Sequence, residues 1–312
     1  MEKKRRIFAI VTFIFVLSIT AGCSQKTSNN KTDDINKDGI LIIDNAGREI
    51  RIDGQPQRII SLSPSNTEIL YALGIDDKIV GVTEYCDYPE QAKAIEKIGG
   101  FANPNIEKIV SLNPDLVIAN DIHQEAVEDL ERLGFPVIIL CPKNIYDMLE
   151  NIKLLGKALG REGYADELVE SLNGRIEAVQ EKVSAIPEAE KPKVYYEIWH
   201  EPLMTAGPGT FIDDLLTLAG GINIARETKT TFPEISLELI IQKAPDIFIY
   251  SHHGDSHIGL EEIYARHNWQ DVPAIKNKQV YVIDSNIVQR ATPRLVDGLE
   301  EITKILHPHL FK

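Results

Sequence analysis

From Ile40 to Ile52, apolar and polar residues alternate in two short runs on either side of Asn45-Ala46-Gly47, the pattern of a β-hairpin. Beyond it the pattern changes to short continuous apolar runs, Ile59 to Leu62, Ile79 to Val82, Leu116 to Ala119 and Val137 to Leu140, which read as strands. Ser63-Pro64-Ser65-Asn66 supplies caps and a first-turn proline for a helix from Thr67 to Leu73, closed by Gly74. A different period governs the middle of the chain. Leu149, Ile152, Leu155 and Leu159, then Tyr164, Leu168, Leu172, Ile176, Val179 and Val183, recur at three- and four-residue spacing. They predict a long helix from Ile145 to about Ser184, which Gly160-Arg161-Glu162-Gly163 can bend and Ile186-Pro187 ends.

An internal echo organises these elements. Glu107, Pro114 and Asp115 reappear as Glu238, Pro245 and Asp246 at one offset, each set opening a helix, a turn and an apolar strand. Ser63-Pro64 and Gly74 have a looser counterpart in Gly207-Pro208 and Gly220. Strands alternating with helices, met twice, predict an α/β protein. Its two Rossmann-like lobes have central, mainly parallel sheets and are joined by one long helix. The N-terminal lobe covers 39–144, the linker helix 145–186 and the C-terminal lobe 187–312.

The first residues add an address. Lys3, Lys4, Arg5 and Arg6 precede an apolar run from Ile7 to Ile19, too short for a membrane crossing and suited to an export signal over 1–22. Thr20-Ala21-Gly22-Cys23 reads as a lipobox, with Cys23 the acylated residue. Residues 23–38 lack the apolar content to fold and read as a disordered tether. The chain carries a formal charge of −14, which argues against nucleic acid as a partner. Cys86 and Cys141, the cysteines after Cys23, are too few for a disulfide scaffold.

Ligands of open α/β sheets bind beyond the carboxyl ends of the strands. That rule gathers Tyr85, Phe101, Asn120 and Asp121 from the first lobe. From the second it gathers Trp199, His200, Phe232, Asn286 and Arg290. Flat aromatic faces with little charge suit a broad, mostly neutral ligand.

Arg58-Ile-Ile-Ser-Leu-Ser-Pro-Ser-Asn-Thr-Glu68, Glu84-Tyr-Cys-Asp-Tyr-Pro89, Asn105-Ile-Glu-Lys-Ile-Val110, Asn113-Pro-Asp-Leu-Val-Ile118 and Arg290-Ala-Thr-Pro-Arg294 carry a resemblance. From about Arg58 onward the chain resembles the class III periplasmic binding proteins of ABC importers, and within them the cobalamin binders. The resemblance implies an extracytoplasmic, membrane-anchored monomer without a cofactor, which carries a corrinoid to a permease dimer with ATPase subunits. Tyr85 would pack on the corrin, Phe101 and Phe232 would add aromatic contacts, and Asn286 and Arg290 would face amides or the nucleotide tail. Glu107 and Glu238 would dock onto arginines of the two permease subunits. The family's aromatic residue after the strand at 116–119 is Asn120 here.

Other readings remain open at this level. A ferric-siderophore or haem binder of the same class would share the fold; siderophores call for several cleft cations, with Arg290, Arg226 and Lys229 the candidates. A zinc or manganese carrier would use His252, His253 and His257. No nucleophile elbow, Walker loop or dinucleotide fingerprint favours an enzyme.

Overall fold

The computed structural model describes residues 39–251 and 259–311. The expected export signal, Cys23, the expected tether and the loop histidines His252, His253 and His257 lie outside the described residues.

Strands β1 (Ile40–Ile43) and β2 (Glu49–Ile52) form the expected antiparallel hairpin. Asp44 sits in its turn and accepts from the Ala46 and Arg48 amides, each at 3.0 Å. The same carboxylate accepts from the Ile139 amide at 3.0 Å, which hangs the hairpin on the edge of the first sheet.

That sheet contains β3 (Ile59–Ser61), β4 (Ile79–Val82), β5 (Leu116–Asn120) and β6 (Val137–Leu140). All pairings are parallel, in the order β4-β3-β5-β6. Helices α1 (Pro64–Ala72), α2 (Ile106–Ser111) and α3 (Gln124–Arg132) connect the strands. The central strands are buried on both faces, which explains their continuous apolar runs.

The expected helix of the middle region is two helices, α4 (Ile145–Ala158) and α5 (Glu162–Ser184). Gly160 takes a left-handed backbone, φ +64°, and the Arg161 amide bonds back to the Gly156 carbonyl at 2.7 Å. This is the glycine-dependent ending that reverses a chain after a helix. A Cβ placed on Gly156 would lie 2.3 Å from the Ala165 Cβ, so α5 folds back tightly against α4. The long element joining the lobes is therefore α5 alone, about 35 Å from its 23 residues.

The second lobe has strands β7 (Lys193–His200), β8 (Leu203–Thr205), β9 (Ile222–Asn223), β10 (Ile247–Tyr250) and β11 (Val280–Val282). Its helices are α6 (Phe211–Leu218), α7 (Leu237–Lys243), α8 (Leu260–Tyr264), α9 (Pro273–Lys276), α10 (Ser285–Gln289) and α11 (Leu295–Leu306). The parallel strands run β9-β7-β10-β11, the same order as in the first lobe, and β8 adds an antiparallel edge against β7.

The echo seen in sequence is a structural repeat. Asn113 and Ala244 both adopt left-handed backbone, φ +46° and +50°, at the ends of α2 and α7. Asp115 then accepts from the Arg58 amide at 2.9 Å and returns its own amide to the Arg58 carbonyl at 2.9 Å. Asp246 makes the same two bonds with Lys193, both at 2.8 Å. Each aspartate thus pins the start of a buried strand to its neighbour.

One buried apolar cluster runs through both lobes. It passes from Ile59 and Ile118 through Ile152 and Leu155 of α4 and Leu172 and Ile176 of α5 to Leu215 and Leu299. Lobes sharing a core cannot swing apart without exposing it, which opposes wide opening.

Candidate functional site

A cleft of about 400 Å³ lies between the lobes. From the first lobe it takes Ser63 and Ser65 at the turn after β3, Asn120 to Ile122 after β5, and Cys141 to Lys143 after β6. The second lobe contributes Gly209 to Ile212, Phe232 and the stretch around Gln289. The floor has matching parts, since Ser63 caps α1 and Thr210 caps α6, each hydroxyl accepting from an amide of the first turn.

The walls are apolar and nearly free of charge. Phe101 and Ile122 stand on one lobe and Phe211 and Phe232 on the other. Ile122 is 52% exposed and Phe232 53%, so both offer unfilled apolar surface. Asp121 and Lys143 are the charged residues among those lining the cleft. Cys141 Sγ lies 3.0 Å from Asp121 Oδ2; burial first, then the Asp121 carboxylate, push its thiol up to about 11. The thiol therefore stays protonated and donates to Asp121.

Two wall residues share a support. The buried His123 ring accepts from the Asn120 amide at Nδ1, 2.9 Å, and its Nε2 lies 2.7 Å from the Phe101 carbonyl. Its ring also meets Phe101 edge to face, centroids 5.4 Å apart. Asn120 turns its amide group to the Leu140 carbonyl at 3.1 Å and accepts from Asn66 at 3.2 Å.

The residues expected to bind ligand do not all meet in the cleft. Phe101 and Phe232 line it from opposite lobes. Tyr85 is 59% exposed on the turn after β4 and contributes nothing to the lining. Trp199 is half-buried in β7 with its indole N–H on the Glu201 carbonyl at 2.9 Å, also away from the lining. Asn286 lies in the first turn of α10, two and three residues before the lining residues Val288 and Gln289.

Arg290 has partners that the sequence did not indicate. Its guanidinium bonds to Asp87 at 2.6 Å and to Glu68 at 3.3 Å, both in the other lobe. Arg294 joins it with two bonds to Glu68 and places its guanidinium carbon 3.8 Å from the Tyr88 ring centroid. Burial alone would raise the Asp87 pKa, but the Arg290 hydrogen bond and charge hold it below the usual carboxylate range. The arginine motif thus ties the lobes together, through Arg290 Nη1 and through Nε and Nη2 of Arg294. Sequence reasoning missed this, and also Ile122, Cys141 and Pro142, although the rule about strand ends covers all three.

Glu107 and Glu238 occupy the second position of α2 and α7, exposed, one on each lobe. Asn105 and Ser236 cap the two helices in the same way. The Glu238 backbone amide, and then the Ser236 hydroxyl, hold the Glu238 carboxyl below its ordinary range.

Two similarly wound lobes closing on an open cleft define a solute-binding protein. The chain belongs to the periplasmic binding protein family, whose profile matches residues 59–287. It is 32% identical to an ABC transporter substrate-binding lipoprotein, YvrC, of Bacillus subtilis (strain 168), covering 100% of both chains. The crystal structure of the periplasmic vitamin B12 binding protein BtuF of Vibrio cholerae superposes with a TM-score of 0.70 at 28% identity, over 82% of this chain and 98% of that one. The periplasmic heme-binding protein RhuT from Roseiflexus sp. RS-1, in apo form, gives 0.72 at 26% identity, over 82% and 100%. The chain is accordingly the solute-binding protein of an ABC transporter, and proteins of this kind work with permease and ATPase components. The family binds substrates outside the cytoplasm and is not a family of enzymes.

Proposed function

We propose that this protein captures a corrinoid of the cobalamin type in its cleft and delivers it to a permease dimer with ATPase subunits, as a monomer tethered to the membrane by acylated Cys23. The observation that carries the ligand is the composition of the walls. Phe101 and Phe232 face the cleft from opposite lobes, and Lys143 is balanced there by Asp121. A corrinoid offers a broad apolar surface edged with neutral amides, which such walls match by shape and burial. A ferric siderophore, commonly anionic, calls for free cations; Arg290 and Arg294 are tied to Glu68, and Arg226 lines a separate surface depression.

Haem is the second reading, favoured by the likeness to RhuT. Its porphyrin would use the same aromatic walls, with Lys143 as the nearest charge for a propionate. Glu107 and Glu238, one per lobe on matching helices, are the docking carboxylates of this proposal. A pseudo-two-fold protein meets a two-fold partner with paired groups of this kind. The acyl anchor rests on the lipobox around Cys23.

A titration panel of cyanocobalamin, cobinamide, ferric hydroxamate and haem tests the ligand. The reading expects both corrinoids to bind more tightly than the other two. Tightest binding of haem or of the hydroxamate would replace it.

A further inference from the structure

One imidazole supports an unusual share of the cleft. The turn after β5 presents Asn120, Asp121 and Ile122 to the cavity in succession, while the next residue, His123, points back into the lobe and is 1% exposed. Its Nδ1 accepts the Asn120 amide, so in the neutral ring the proton must sit on Nε2, which donates to the Phe101 carbonyl. Backbone atoms at both ends of the first-lobe wall are therefore bonded to opposite edges of one ring. No other tautomer satisfies both bonds.

We propose that His123 is the positioning residue of the ligand cleft: its neutral ring holds Phe101 and the turn Asn120–Ile122 in place, and protonation at Nδ1 releases the turn and weakens ligand capture in acid. A protonated Nδ1 would direct its N–H at the Asn120 N–H, donor against donor. The Nε2 bond to Phe101 survives protonation, so the damage falls first on the turn.

The charged surroundings are few. Asp121 lies on the same turn, and Glu125 and Asp129 of α3 share with His123 the lining of a pocket of about 270 Å³ behind it. The facing segment, Ala102 to Ile106, brings no titratable group. Burial lowers the His123 pKa, and the bond to the Phe101 carbonyl and the Asp121 charge raise it by less, so it stays below the ordinary histidine range. The sign follows from that depression. The ordered wall is fully present above the ordinary value of about 6.5 and is lost as pH falls through the lower folded value.

The binding consequence rests on the cleft being the ligand site, so the test has two arms. In the first, cyanocobalamin affinity is measured from about pH 7.5 down to about pH 4. Wild type is expected to lose affinity as pH falls through the His123 value, by up to about tenfold, roughly the effect of one hydrogen bond. His123→Gln should bind more weakly at the higher pH and show no further loss at the lower one. A variant that keeps the wild-type pH profile overturns the proposal. In the second arm, which needs neither ligand nor variant, nitrogen NMR of wild type follows the His123 ring and the Asn120 amide. An Asn120 signal moving with the midpoint of the ring supports the role. A ring that titrates while Asn120 stays still, or a neutral ring carrying its proton on Nδ1, refutes it. If wild type binds no cyanocobalamin at any pH, the corrinoid reading falls and the second arm alone decides on His123.

Discussion

Arg294 grips Glu68 across the boundary between the lobes, Nε to Oε2 at 2.7 Å and Nη2 to Oε1 at 2.6 Å, from residues 226 positions apart. The carboxylate side chain is 2% exposed, and Arg290 reaches it from the same segment. With the shared core through α4 and α5, this pair joins two separately wound sheets on either side of the cleft. A buried carboxylate needs its partners, and both come from the other lobe.

Arg294→Met should therefore leave Glu68 with only its longer bond to Arg290 and lower unfolding stability by about 3 kcal/mol, read from the urea midpoint. Adding Glu68→Met removes the under-paired buried charge and leaves Arg290 its bond to Asp87, so the double variant should be more stable than Arg294→Met alone. Additive losses would show that the pair does not act as a tie.

The cleft walls make a sharper claim about individual aromatics. Phe101→Ala and Phe232→Ala should each weaken binding of the cargo by about 1–3 kcal/mol, the effect of losing a buried aromatic contact. Tyr85→Ala should weaken it by less, since Tyr85 stands outside the lining. Calorimetric titration of the three variants gives the order, and a Tyr85 effect equal to that of Phe232 would move the site toward the turn after β4.

Docking and capture should separate. The double variant Glu107→Ala with Glu238→Ala is expected to keep ligand affinity, because neither residue lines the cleft. Uptake into vesicles carrying the transporter should fall. Normal uptake would remove both glutamates from the interface.

Much of the architecture could be read from the chain because local physics dictates it. Strands β3, β5 and β6 are buried on both faces, and no solvent side interrupts their apolar runs. The repeat was visible through Pro114-Asp115 and Pro245-Asp246, where each aspartate has a backbone task that other side chains perform poorly. The division of the middle helix was hidden: the apolar period continues past Gly160, and the reversal depends on one left-handed glycine and the bare Gly156 facing Ala165. The cleft was legible where strand ends define it, as at Phe101 and Asn120. The ion pairs of Arg290 were hidden, because an arginine near a cleft looks alike in sequence whether or not it is held. Its partners, Asp87 and Glu68, are more than two hundred residues away. His123 carries no sequence signal of its own; its role exists only once Phe101 and Asn120 are folded against it.

The central claim, that the walls around Phe101 and Phe232 close on a corrin, is tested most directly by gel filtration of the protein mixed with cyanocobalamin at micromolar concentration. The account predicts that the red chromophore travels with the protein peak at about one ligand per chain. Colourless protein eluting ahead of free cyanocobalamin would contradict it.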